Sequence, residues 1–216
     1  FDSIKYMRRT NDSVVALSLK NVDFEYKNEK DHDRRRFKFL KKYLSLDWAE
    51  IFFADKIILY EGDTERILLP SMMRAIDENF KNNPEYIPMS SQNISMIPAG
   101  AYAYVFDRFL QFIGKKVLII TDIDSVKEDK NACKVNDGCM TSNCTLRYYF
   151  GQGIAENELL RKLKEIAESH KVFDGQGKYS LLVAYQTEET CGGIKYYPRS
   201  FEDAFIFINP DCFDSV

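Results

Sequence analysis

The chain has 216 residues, 45% of them hydrophobic and 14% aromatic, which is ample for a packed core and excludes a disordered or low-complexity polymer. Charged residues make up 29% and nearly cancel to a formal net charge of −3, which excludes a generally basic nucleic-acid coat but not a local phosphate-binding patch. No apolar run approaches the roughly 20 residues of a membrane span, and no charged start leads into an apolar signal core, so no membrane is expected.

In chain order, β-branched and aromatic runs around residues 4–7 and 14–19 flank a turn-prone stretch and predict a hairpin. A dense mix of charges follows, then Phe37, Leu40, Tyr43 and Leu44 at helical spacing, the mark of a linker helix. Arg34, Arg35 and Arg36 could track a phosphate backbone, although a solvated basic helix face is the plainer reading. Residues 1–50 are read as strands plus linker, and 51–216 as the main domain. The chain starts at Phe1 and is read as a piece of something longer.

From Lys56 strand and helix alternate. An apolar strand over 56–60 runs into Glu61 and Gly62. Asp63 is then the expected N-cap of a helix reaching Phe80, with Leu68, Met72, Ala75 and Ile76 on its inner face and a kink at Pro70. A strand over 94–97 turns through Gly100 into a helix over 101–113, whose N-terminus could cradle a phosphate. Val117 to Ile120 continue through Thr121, Asp122, Ile123 and Asp124 as the clearest strand, followed by a long loop over 125–143. A helix over 155–169, a strand over 179–185 and a helix over 201–208 complete an α/β fold with a mainly parallel sheet flanked by helices.

Residues i and i+2 of an extended chain point the same way, so Asp122 and Asp124 should lie side by side at a strand end. Glu61 ends a second strand of the same sheet, and in a parallel sheet both ends open on one edge. Glu65 lies in the first turn of the following helix, where the dipole tolerates a carboxylate. Unpaired, these carboxylates repel and raise one another's pKa values; a divalent cation resolves the conflict, and oxygen-only ligands favour Mg²⁺ or Mn²⁺. Cys133, Cys139 and Cys144 lack paired C-x-x-C spacing and read as free thiols rather than a zinc site. With only His32 and His170, and with five cysteines, histidine-based chemistry is disfavoured and a reducing compartment is expected.

The turn EGDTE at 61–65, the Gly100 turn and TDIDS at 121–125 resemble a Toprim domain. DKIILYEGDTERILLP, VLIITDIDSV, TSN at 141–143 and RSFEDAFI at 199–206 resemble the C-terminal nuclease region of the OLD (overcoming lysogenization defect) family, which includes the nuclease of the Gabija phage-defence system. The resemblance spans about 47–210. It implies a cytoplasmic prokaryotic endonuclease whose catalytic residues are Glu61, Asp122 and Asp124. Glu61, Glu65, Asp122 and Asp124 would hold two Mg²⁺ or Mn²⁺ ions, and Glu202 is a further candidate ligand. Gly62, Gly100, Ser125 and Asp203 would support them. DNA is the implied substrate, in a homo-oligomer whose ATPase domain, with ATP, precedes this segment; residues 1–50 would be its tail. No Walker A loop occurs here, and the family's lysine would fall beyond Val216. Two rivals fit parts of the pattern. One is a haloacid-dehalogenase-type phosphatase with Asp122 as nucleophile, which leaves Glu61 unexplained. The other is a non-catalytic Toprim-like docking module.

Overall fold

A short antiparallel hairpin, β1 (Lys5–Arg9) with β2 (Val14–Ser18), opens the chain as expected. Tyr6 on β1 is buried, with its ring 6.0 Å from Phe52 and 6.5 Å from Phe112, so the hairpin shares the main hydrophobic core. The structure is a computed structural model that describes residues 5–9, 13–20, 49–174 and 179–212. Arg34, Arg35, Arg36 and the expected linker helix lie outside the described residues.

β3 (Lys56–Tyr60) leads through Glu61 to α1 (Asp63–Phe80). The N-cap of α1 is Gly62, not Asp63; the backbone N–H of Gly62 donates to Glu65 Oε2 at 3.0 Å, while Asp63 pairs with Arg66 at the surface. The helix runs through Pro70 as one element, and its buried residues are Glu65 and Leu69 rather than the predicted apolar stripe. After β4 (Ile94–Pro98), Gly100 takes φ +58°, a left-handed conformation that favours glycine. It opens a 3₁₀ segment, Gly100–Phe106, and α2 (Asp107–Ile113) follows, so the single helix expected over 101–113 is interrupted, with Tyr102 non-helical.

β5 (Lys116–Ile120) stops short of both aspartates. The expected long loop holds a small hairpin, β6 (Ser125–Val126) with β7 (Met140–Thr141), before α3 (Cys144–Phe150) and α4 (Glu156–Glu165). α3 escaped prediction because seven residues are too few to show a period, although its N-cap, Asn143, is a recognisable start signal. β8 (Val172–Asp174), β9 (Ser180–Ala184), the hairpin of β10 (Glu189–Cys191) with β11 (Ile194–Tyr196), and α5 (Phe201–Ile208) close the described chain.

The central sheet has the order β4-β3-β5-β9-β8, parallel except for the antiparallel edge strand β8. Burial alternates along each central strand. Ile57, Leu59, Ile97, Val117, Ile119, Leu181 and Val183 are buried and share one core cluster with Phe106, Phe109, Leu110 and Ile113. The intervening Ile58, Leu118, Ile120 and Leu182 are half-buried and line a groove of about 660 Å³ with Leu69, Met72 and Ile76 of α1. On the covered face Asp107, only 6% exposed, accepts hydrogen bonds from the hydroxyls of Tyr148 (2.9 Å) and Tyr149 (3.0 Å), which ties α3 to the start of α2.

Candidate active site

The chain leaves β3 for the edge strand β4 and returns on the other side of β3 as β5, so the sheet order reverses between β3 and β5. Loops at the carboxyl ends of two such strands diverge and leave a crevice, the usual ligand position in open α/β sheets. The pairing Leu59 with Ile119 brings Glu61 level with Thr121. Glu61 Oε2 accepts from Thr121 Oγ1 at 2.7 Å, from the Asp122 N–H at 3.0 Å and from Asn143 Nδ2 at 3.3 Å.

Asn143 is fully buried and works in two directions. Its Nδ2 also donates to Thr121 Oγ1 at 2.7 Å, while its Oδ1 caps α3 by accepting from the Thr145 and Leu146 N–H groups. Replacing Asn143 by Ala removes a cap and leaves buried polar partners unpaired. We expect a loss of about 2–4 kcal/mol of unfolding free energy, measurable by denaturant titration.

Beyond β5, Thr121, Ile123 and Ser125 are buried while Asp122 and Asp124 are only partly so, which keeps the two aspartates on the open side although the backbone has left the sheet. The fully extended D-x-D of the sequence reading is corrected at Asp124, whose φ is +47°. Asp122 Oδ1 accepts from Gln186 Nε2 at 2.7 Å and from the Phe201 N–H at 2.8 Å, and Gln186 Oε1 accepts from the Ile123 N–H at 2.7 Å. Asp124 Oδ1 pairs with Arg199 at 3.0 Å.

Glu65 is 1% exposed, and Glu202 lies near enough to act on it electrostatically. Glu202 itself is exposed and accepts from Ser200 Oγ at 3.0 Å. Asp203 accepts from the Arg199 N–H at 2.7 Å and from the Tyr196 hydroxyl. Ser125 is fully buried, and its hydroxyl donates to the Cys133 carbonyl at 2.6 Å, so it supports the β6 hairpin. Gly62 lies close under Glu65, where an added Cβ would come within 3.3 Å of Oε2. Gly100 follows β4 beside β3 and opens a 3₁₀ turn, without an α-helix N-terminus behind it.

Charge and burial act together here. Burial, then the charge of Glu61, pushes Asp122 up to about 7, outweighing the hydrogen bonds from Gln186 and Phe201. Burial also raises Glu65, with Glu202 and Glu61 adding to it, and raises Asp124 against the pull of Arg199. Glu202 is lowered, chiefly by a hydrogen bond from Thr64. The donor set is oxygen-only, and its members resist shared ionisation, which suits a hard divalent cation. Among the described residues no three His, Cys, Asp or Glu side chains are drawn into a ready-made cage. Mg²⁺ commonly rests on one or two carboxylates plus waters and substrate phosphates, so an open carboxylate row fits it. Cys133, Cys139 and Cys144 are free thiols.

Sequence reasoning missed Gln186, Asn143 and Arg199 as partners of the acidic residues. TSN and RSFED within the family resemblance contain Asn143 and Arg199, whereas nothing in the sequence marked Gln186. Residues 52–124 match the family described as Overcoming lysogenization defect protein-like, TOPRIM domain. The mainly parallel five-stranded sheet flanked by helices is consistent with a Toprim fold around that matched stretch. The chain is homologous to Endonuclease GajA of Bacillus cereus (strain HuB5-5), with 33% identity over 97% of this chain, and it spans 28% of that relative's length. No solved structure gives a significant match. No described helix is long and apolar enough to cross a membrane.

Proposed function

We propose that this chain is the nuclease part of a metal-dependent DNA endonuclease that hydrolyses phosphodiesters at a two-metal Toprim centre. The observation that carries the reading is the meeting of Glu61 and Asp122 at the switch point between β3 and β5, joined by a hydrogen bond from the Asp122 N–H to Glu61 Oε2. Support comes from the 33% identity to a protein named as an endonuclease.

In this reading Glu61, Glu65, Asp122 and Asp124 hold Mg²⁺ or Mn²⁺, with Glu202 beside Glu65 as a further ligand. A divalent ion there supplies charge neutralisation for a phosphoryl transition state and an activated water. The protein's part is orientation. Thr121 and Asn143 both hold Glu61 by Oε2, and Gln186 and the Phe201 N–H both hold Asp122 by Oδ1. Asp122 would carry a proton near neutral pH and surrender it when a cation arrives. Arg34, Arg35 and Arg36 are proposed DNA contacts. A longer protein, homo-oligomeric and carrying an ATPase domain that binds ATP, would supply the remaining lysine and act in phage defence or DNA processing.

The test is cleavage of supercoiled plasmid by the full-length protein with Mg²⁺ or Mn²⁺, abolished by chelation. Formation of an acid-stable aspartyl-phosphate on Asp122 instead would turn the reading toward a phosphatase. Absence of both activities and of metal binding would leave a docking module.

A further inference from the structure

The segment entering α5 is fastened directly onto the turn that carries Asp122 and Asp124. The Asp124 N–H donates to the Arg199 carbonyl at 3.3 Å, Arg199 Nε donates to the Ser125 carbonyl at 3.2 Å, and Arg199 Nη2 lies 3.0 Å from Asp124 Oδ1. Asp203 accepts from the Arg199 N–H at 2.7 Å and is itself held by the Tyr196 hydroxyl, which fixes the Arg199 backbone from behind. Among the described residues Arg199 is the one cation in an ion pair with any of the candidate carboxylates. The pair is reachable by ions, with the two side chains 33% and 24% exposed.

We propose that Arg199 is a built-in counter-ion that occupies Asp124 in the metal-free protein and must give way before Asp124 can serve a divalent cation, so that it gates metal loading. The inference rests on the metal reading above and adds a residue to it. One Asp124 oxygen cannot hold a guanidinium at 3.0 Å and a dication without placing like charges side by side. The planar fork of Arg suits a carboxylate, and its anchoring at Nε to Ser125 limits how far it drifts once released. Asp124 takes a left-handed φ of +47° where its N–H meets the Arg199 carbonyl, a conformation that aspartate adopts more readily than most side chains.

Mn²⁺ binding to the full-length, nucleotide-free protein, read from the electron paramagnetic resonance of free Mn²⁺, tests the proposal. Arg199→Gln should bind about fivefold more tightly than wild type, a modest factor because the pair is partly solvated. Arg199→Lys should stay near wild type, and the gain should vanish in an Asp124→Asn background. Unchanged or weaker binding by Arg199→Gln would overturn the gate and make Arg199 a residue that merely holds Asp124 in place. Wild-type protein that binds no more Mn²⁺ than Asp122→Asn would overturn the gate together with the metal reading. A measurement on wild type guards against misfolding of the variant: Mn²⁺ should speed modification of Arg199 by phenylglyoxal, quantified by mass spectrometry. An unchanged or slower rate counts against displacement.

Discussion

Glu61→Gln should lower metal-dependent DNA cleavage by about a thousandfold while leaving the fold intact. Gln keeps the shape of Glu61 and can turn its amide oxygen toward the three donors that meet Oε2, namely Thr121 Oγ1, the Asp122 N–H and Asn143 Nδ2. What it loses is the negative charge at the carboxyl end of β3. A group that holds a metal against a developing phosphoryl charge contributes several kcal/mol at the transition state, and each tenfold in rate is about 1.4 kcal/mol. Plasmid cleavage at saturating Mn²⁺ measures the loss, and thermal melting checks the fold. Near-wild-type cleavage by a well-folded Glu61→Gln protein would remove Glu61 from the chemistry.

The second large effect is on stability against pH. The Asp122 carboxyl is pushed up to about 7 in the folded protein, whereas an unfolded aspartate titrates near 3.9. Between those values the native state binds more protons than the unfolded state, so stability falls as pH rises from about 4 to about 7 and levels off above. Glu65 and Asp124 are raised as well and add to the same slope. Asp122→Asn retains an Oδ1 acceptor for Gln186 and Phe201 but has no charge to bury. The metal-free variant should therefore be more stable than wild type above pH 7, by up to about 4 kcal/mol, with a flatter pH profile. Denaturant midpoints at several pH values check this, and a wild-type stability that climbs with pH would contradict it. Added Mg²⁺ should restore stability to wild type and not to Asp122→Asn, since binding draws on the ionised carboxylate.

Much of the architecture is legible in the residues because it is local. Lys56 to Tyr60 and Lys116 to Ile120 are apolar runs of strand length, and each appears as a central strand. Phe201 to Ile208 appears as the predicted helix, started by Ser200, whose hydroxyl accepts from the Asp203 N–H. Where prediction slipped, a longer-range contact won over a local preference. Asp63 is a good cap by type, yet the buried Glu65 claims the Gly62 N–H and shifts the helix start by one residue. The strand through Asp124 is cut at Ile120: the Thr121 N–H still reaches the Ala184 carbonyl of β9, but the N–H groups of Asp122, Ile123 and Asp124 go to Glu61, Gln186 and Arg199 in place of a neighbouring strand.

The sequence by itself determined which side chains bear charge at the ends of apolar strands: Glu61 after β3, Asp122 and Asp124 after β5, Glu65 one helical turn on. Those are properties of spacing, and spacing survives in a linear chain. Tertiary structure alone decided that β3 and β5 are neighbours at the reversal of the sheet order, which makes Glu61 and Asp122 partners across 61 residues of chain. It also decided that Asn143, Gln186 and Arg199 are the groups that hold these carboxylates. Amide and guanidinium side chains carry no periodic signal, and their role is set only by which strand end or loop the fold brings within about 3 Å of them.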